Sequence, residues 1–282
     1  MLFSNVSTLQ KQKCFIVLSV ILIFTLFYID VRTSHVVRVN WIVPVERSNH
    51  DYTIPDTIFV CYKNQNDIPL RSIERWQELN PDYNIRTYGD IECRETLKEI
   101  GDWAVKLFDR IPDGPIRADL WRAAVLYLNG GIYVDIDSIP KTGLDDILED
   151  DTTFATAMSY VDGSTNPAFL ASTKENPILK SVLDMYRYRI SKEVYSYDGY
   201  SICPIVATVL DAYGIDMRNK GARAENVHGQ IVTLLQEKSS IKHPYFWQSH
   251  VEFKLHMGIY YQEGLFVMNR GPNYDSEKHK FV

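Results

Sequence analysis

The sequence predicts an α/β domain built on a mostly parallel central sheet, preceded by one N-terminal transmembrane helix. Three observations carry that expectation. Strand-like and helix-like segments alternate from about residue 53 onward, the order that gives βαβ connections and parallel strands. A long helical segment stops at Asn129-Gly130-Gly131 and runs straight into an alternating strand pattern. Sixteen mostly apolar residues, from Cys14 to Ile29, stand uninterrupted near the N-terminus.

The apolar run would make a helix of about 24 Å at 1.5 Å per residue, somewhat short of the roughly 30 Å hydrocarbon core. Such a span suits the thinner membranes of the early secretory pathway. Lys11 and Lys13 precede it, so the positive-inside bias puts residues 1–13 in the cytoplasm and the rest of the chain in a lumen. No small-residue cleavage site follows the run, which argues for a signal anchor over residues 14–30 rather than a removed leader. A buried core helix would show a polar face, and Ser19 and Thr25 alone do not make one. Residues 31–52 are polar and without period, a stem. The remaining residues, 53–282, form the folded domain.

That domain is rich enough in apolar residues (45% of the chain) to bury a full core. The net charge is −6 and Lys and Arg form no block, which excludes a phosphate-backbone binder of nucleic acid. Cys14, Cys61, Cys93 and Cys203 show neither C-x-x-C nor zinc spacing. One disulfide is possible, with a cysteine left over.

In chain order, residues 54–61 have the β-branched and aromatic content of a first strand. A helix follows over 69–79, with Ile73, Trp76 and Leu79 on one face. Asn80-Pro81-Asp82 is a turn before a strand at 83–88. Asp90 caps a helix that Gly101 ends, and a short helix spans 103–110. Pro115 opens the long helix, which runs to Asn129. A helical turn at 144–148 and strands at 154–158 and 168–172 come next. Asn176-Pro177 starts a helix to about Ile190, and another spans 204–213 before Gly214. Strands are expected at 231–235 and 264–268.

The chemistry concentrates between Pro115 and Pro140. On the long helix Asp119 and Arg122 are three residues apart and therefore neighbours. Taken alone, they read as a structural ion pair, since (i, i+3) pairs are common on helices and worth little. The strand adds to them. Alternation places Ile132, Val134 and Ile136 on one face and Tyr133, Asp135 and Asp137 on the other, with the two carboxylates roughly 7 Å apart. Ligands bind at such strand ends in open α/β sheets. Two like charges there call for a hard divalent cation, Mn²⁺ or Mg²⁺, of the kind that also takes substrate phosphates.

The series Arg117-x-Asp119-x-x-Arg122, then Leu126-Tyr127-x-x-Gly130-Gly131-x-Tyr133-x-Asp135-x-Asp137-x-x-Pro140, resembles the sugar-binding-region glycosyltransferases with a D-x-D motif. That family includes yeast Golgi mannosyltransferases and is related to the clostridial glucosylating toxins. Residues 54–63, 80–83, 166–171 and 176–179 are similar to other family segments, so the likeness covers about 54 to 210. It implies a GT-A-like nucleotide-sugar-binding domain that moves a hexose from a UDP- or GDP-linked donor to a glycan, protein or lipid acceptor, with retention. It implies that Asp119 and Arg122 hydrogen-bond the donor sugar. Asp135 would contact the ribose or sugar and help orient the metal, and Asp137 would bind the metal directly. Tyr62 stands where the family has Trp and would stack on the base. His256, with His250 behind it, is the candidate C-terminal metal ligand, although the Gly-Ser-Trp ending of the family is absent. Ser201-Ile202-Cys203-Pro204 replaces the family's Gly-Pro. The setting implied is a single-pass protein of the Golgi or ER membrane with its domain in the lumen.

Two alternatives share the D-x-D. In a metal-dependent phosphatase the first Asp is a nucleophile, but that motif opens its domain, and here about 80 domain residues precede it. Ile139 also stands where that motif expects Thr or Val. A catalytically inactive, membrane-anchored sugar-binding protein is the other, and the intact set Asp119, Arg122, Asp135 and Asp137 argues against it.

Overall fold

The computed structural model of the chain describes residues 53–160, 163–192, 197–217, 223–225, 228–239, 257–261, 264–268, 274–275 and 280–281. The expected tail, signal anchor and stem lie outside the described residues, as do His250 and His256. Among the described residues no helix is long and apolar enough to cross a membrane.

The first strand, β1 (Thr57–Cys61), is followed by a 3₁₀ turn (Gln65–Asp67) and α1 (Leu70–Leu79). Helix α1 buries Trp76, whose indole N–H donates to the Ser138 carbonyl at 3.2 Å. Strand β2 (Asn84–Tyr88) lies parallel to β1. Helix α2 (Asp90–Ile100) is capped by Gly89 and not by Asp90, the cap expected from the sequence. The Glu92 carboxylate accepts the Gly89 N–H at 2.9 Å, which leaves Asp90 inside the first turn to pair with Arg117. Helix α3 (Asp102–Arg110) and the long α4 (Gly114–Asn129) follow.

Helix α4 turns into β3 (Gly131–Val134) through Gly130 and Gly131, at φ 70° and 102°. Only glycine adopts these values without strain. A Cβ on Gly131 would also lie 2.7 Å from the Thr57 carbonyl, so the close seating of β3 on β1 depends on that glycine.

Beyond β3 come β4 (Ile139–Pro140), β5 (Phe154–Met158), β6 (Thr165–Ser172), α5 (Pro177–Ser191), α6 (Tyr197–Tyr200) and α7 (Ile202–Ala212). Strands β7 (Arg223–Glu225), β8 (Ile231–Ser239), β9 (Met257–Tyr261) and β10 (Gly264–Met268) then complete the main sheet. A separate pair, β11 (Tyr274–Asp275) and β12 (Lys280–Phe281), stands apart.

The main sheet runs β2-β1-β3-β6-β5-β8-β9-β10-β4, with β7 beside β8. It is mixed, not mostly parallel. The β1–β2, β1–β3 and β5–β8 pairs are parallel. The β3–β6, β5–β6, β7–β8, β8–β9, β9–β10 and β4–β10 pairs are antiparallel. The reason is connection length. Strands β5 and β6, like β9 and β10, are joined by links too short to carry a crossover helix, so each pair must fold back on itself.

One consequence bears on the site. Strand β6 runs against β3 and β5, and β8 runs with β5. The C-terminal ends of β1, β3, β5 and β8 and the start of β6 therefore share one edge of the sheet. The core packs Ile58, Val60, Ile132, Val134, Phe169 and Phe266 on one sheet face. Each such side chain contributes about 1.5–3 kcal/mol by leaving water. On the opposite face Phe59 and Tyr133 meet the helix side through Tyr88 and Trp121.

Candidate functional site

Three charged groups meet at the C-terminal end of β3. Arg122 is fixed on α4 by the burial of Leu120, Trp121, Ala123 and Ala124 around it. Its Nη2 lies 3.1 Å from Asp119 Oδ1 and 3.2 Å from Asp135 Oδ1. Its Nη1 donates to the Pro167 carbonyl at 2.7 Å, and its guanidinium carbon stands 4.2 Å from the Tyr133 ring centroid. The side chains of Arg122, Asp119 and Asp135 are 6%, 11% and 32% exposed, so the cluster opens to solvent through Asp135.

Each carboxylate has a further donor. Asp119 Oδ2 accepts the Ile202 N–H at 3.1 Å, satisfying an otherwise unpaired donor in the first turn of α7. Asp135 Oδ1 accepts the Tyr133 hydroxyl at 2.8 Å, and the Asp135 N–H donates to the Ala168 carbonyl at 2.9 Å. The face shared by Tyr133 and Asp135 is the one that alternation predicts.

Alternation fails one step later. Strand β3 ends at Val134, and the Ser138 N–H closes a turn onto the Asp135 carbonyl at 3.0 Å. Asp137 stands in that turn, half-buried, not on a continuing strand. The turn forms because Ile136 folds back into the core and Ser138 is held under Trp76.

The electrostatics follow from burial. Loss of water raises the Asp119 carboxyl to about 6, with Arg122 and the Ile202 N–H pulling the other way. Burial works against the Arg122 charge too, but Asp135, Tyr133 and Asp119 outweigh it and hold its pKa well above the ordinary value. Burial, against the pull of Arg122, keeps the Tyr133 phenol protonated and hence a hydrogen-bond donor. One guanidinium is thus shared between two carboxylates.

Among the described residues no three His, Cys, Asp or Glu side chains form a cage for a metal. Asp135 and Asp137 fit a different arrangement, in which Mg²⁺ or Mn²⁺ takes one or two carboxylates and completes its shell with water and substrate phosphates. Tyr62 follows β1 at the same sheet edge, half-buried against the core cluster on the face opposite Cys61 and Tyr133. Burial, helped by Asp67, raises its phenol pKa.

The groups that sequence reasoning left without a role are Tyr133, the Pro167 carbonyl and the Ile202 N–H. Tyr133 was open to it, since it shares a face with Asp135. The two backbone partners come from segments 45 and 83 residues away from the side chains they meet, and no local signal points to them.

Residues 69–154 match the family model described as glycosyltransferase sugar-binding region containing DXD motif. Asp119, Arg122, Asp135 and Asp137 fall within that match; Tyr62 and His256 do not. The chain is similar to inositol phosphoceramide mannosyltransferase 3 of Schizosaccharomyces pombe, 32% identical over 131 residues, 44% of this chain and 35% of that protein. It is also similar to mannosyl phosphorylinositol ceramide synthase SUR1 of Saccharomyces cerevisiae, 28% identical over 173 residues, 57% of this chain and 40% of that one. The chain thus spans 35% and 40% of the length of these two relatives. Of solved structures, the PaToxG glycosyltransferase aligns with 57% of this chain and 70% of its own at a TM-score of 0.48 and 17% identity.

Proposed function

We propose that this chain, which carries the sugar-binding region of the DXD glycosyltransferases, is a metal-dependent transferase that moves a hexose from a UDP- or GDP-linked donor. Mannose is the favoured sugar and an inositol-phosphoceramide-like lipid the favoured acceptor, because the names of both relatives state that chemistry. A single observation carries the proposal: a buried Arg122 shared between Asp119 and Asp135 at a sheet edge, with Asp137 in the next turn.

In this reading Asp119 and Arg122 hydrogen-bond the hydroxyls of the donor sugar and fix its anomeric carbon for the acceptor. Their own geometry is set beforehand by Pro167, Ile202 and Tyr133, so little reorganisation is needed at the moment of reaction. Asp135 orients the ribose or sugar and, with Asp137, would hold Mn²⁺ or Mg²⁺. A bound divalent ion supplies charge neutralisation for the departing diphosphate. Tyr62 stacks on the base, and His256 is the candidate third metal ligand. The reaction retains anomeric configuration. The apolar run at residues 14–30 supports a signal anchor with the domain, residues 53–282, in the lumen of the Golgi or ER. A phosphatase would have no use for a buried Asp119–Arg122 pair behind its D-x-D.

The test is to incubate the detergent-solubilised full chain with a panel of nucleotide sugars, with Mn²⁺ or with EDTA, and to measure nucleoside diphosphate release. Release from one donor, lost in EDTA, is the expected result. Inorganic phosphate from simple esters, with no diphosphate from any donor, would overturn the assignment.

A further inference from the structure

Two main-chain partners of the site, the Pro167 and Ala168 carbonyls, lie in one irregularity of β6. Thr156 on β5 pairs with Leu170, but the next residue, Ala157, pairs with Asn166. Pro167, Ala168 and Phe169 are therefore extra on β6 with no counterpart on β5, a bulge of the kind that re-aims groups beside functional sites. From it the Pro167 carbonyl takes Arg122 and the Ala168 carbonyl takes the Asp135 N–H. The bulge thus sets the position of both halves of the site.

Something must hold the bulge. Pro167 has no N–H, and the Ala168 N–H donates to Asn166 Oδ1 at 3.2 Å. The other end of that amide, Nδ2, donates to Glu237 Oε1 at 2.7 Å. Glu237 Oε2 accepts the Ser159 hydroxyl at 3.1 Å and the Tyr160 N–H at 3.2 Å. Glu237 stands on β8, where it pairs with Ile259, and is only 8% exposed. A carboxylate is costly to bury and persists only where donors converge on it.

We infer that Glu237 is a positioning residue: through Asn166 it locks the β6 bulge that fixes Arg122 and Asp135. The polarity of the chain is specific. A carboxylate offers two acceptors to donors on opposite sides. The amide in Glu237→Gln has one oxygen, so it must turn an NH₂ toward either Asn166 or the Ser159–Tyr160 pair. Turned toward Asn166, it forces that amide to flip and to present its own NH₂ to the Ala168 N–H. Asn166→Asp in the same chain repairs this. The new carboxylate accepts from the glutamine amide on one oxygen and from the Ala168 N–H on the other, while the glutamine oxygen still serves Ser159 and Tyr160.

The effect on turnover rests on the proposed glycosyl transfer; the effect on the Asp135 amide does not. The experiment therefore reads both, in the full chain and in Glu237→Gln, Asn166→Asp and the double variant. Hydrogen exchange at the Asp135 amide should speed up by about tenfold or more in each single variant, one decade for each 1.4 kcal/mol of weakened bonding. kcat should fall by about 100-fold, as for a misplacement near 1 Å, with donor KM changed far less. The double variant should recover both to within a few-fold. Unchanged Asp135 exchange in a folded single variant, or a double variant no better than the worse single, would overturn the inference. If Glu237→Gln fails to fold, Asn166→Asp and the double variant read the same contact. Exchange that speeds up and is rescued in a chain that turns over no donor supports the lock and overturns the functional reading instead.

Discussion

Replacing Asp119 by asparagine separates a residue kept for stability from one kept for its charge. Burial holds the Asp119 carboxyl at about 6 in the fold, against an ordinary value of 3.8. Each pKa unit is worth about 1.4 kcal/mol. Ionising Asp119 therefore costs about 3 kcal/mol more in the folded chain than in the unfolded one. The sign follows from proton binding: between about pH 4 and 6 the folded state holds a proton that the unfolded state has lost. The wild-type chain consequently loses stability as pH rises through that window. The amide introduced by Asp119→Asn titrates nowhere, so the variant lacks this loss. Its single oxygen cannot serve both Arg122 and the Ile202 N–H, but that cost is the same at every pH. Urea unfolding of both proteins at pH 4, 5, 6 and 7 gives the difference directly. The variant should gain about 2.4 kcal/mol on the wild type from pH 4 to 7, because the unfolded carboxyl is already more than half ionised at pH 4, while losing donor turnover. A difference that is flat with pH, or that moves the other way, would refute the argument.

Other outcomes follow from single contacts. Tyr133→Phe keeps the ring over Arg122 and removes the hydroxyl from Asp135; it should cost about 1 kcal/mol of stability and weaken Mn²⁺ activation about tenfold, read by titrating Mn²⁺ into the donor-turnover assay. Gly131→Ala pushes a Cβ to 2.7 Å from the Thr57 carbonyl at φ 102°. It should destabilise the fold by about 3 kcal/mol, and a loss under about 1 kcal/mol in denaturant would show that the β1–β3 contact yields.

The long helix, its glycine stop and the face shared by Tyr133 and Asp135 were legible because each rests on local rules: helix period, left-handed glycines and strand alternation. Asn176 was legible as the start of α5 for the same reason, since its side chain accepts the Ile178 N–H two residues ahead. The sheet order was not. Strand β4 is two residues long and pairs with β10 more than a hundred residues later. The start of β6, Thr165-Asn166-Pro167, looks like a loop and becomes strand only through β5 and the bulge. Gly89 displaced Asp90 as a cap because Glu92 reaches back to the Gly89 N–H while Asp90 pairs with Arg117, a tertiary preference over a local one. Glu237 was invisible for a related reason: a charge near the end of a strand reads as solvent-facing until Asn166 and Ser159 are brought beneath it.

The proposed donor site is tested most directly by calorimetry of Mn²⁺ and GDP-mannose on the wild-type chain and on Asp137→Asn. The wild type should bind the nucleotide sugar with Mn²⁺ and lose that binding in EDTA. At 100 times the dissociation constant the ligand should stabilise the fold by about 2.7 kcal/mol. Asp137→Asn should remain folded and give no metal-dependent heat. Equal metal-dependent binding by both proteins would contradict the assignment of the D-x-D turn as the donor's metal site.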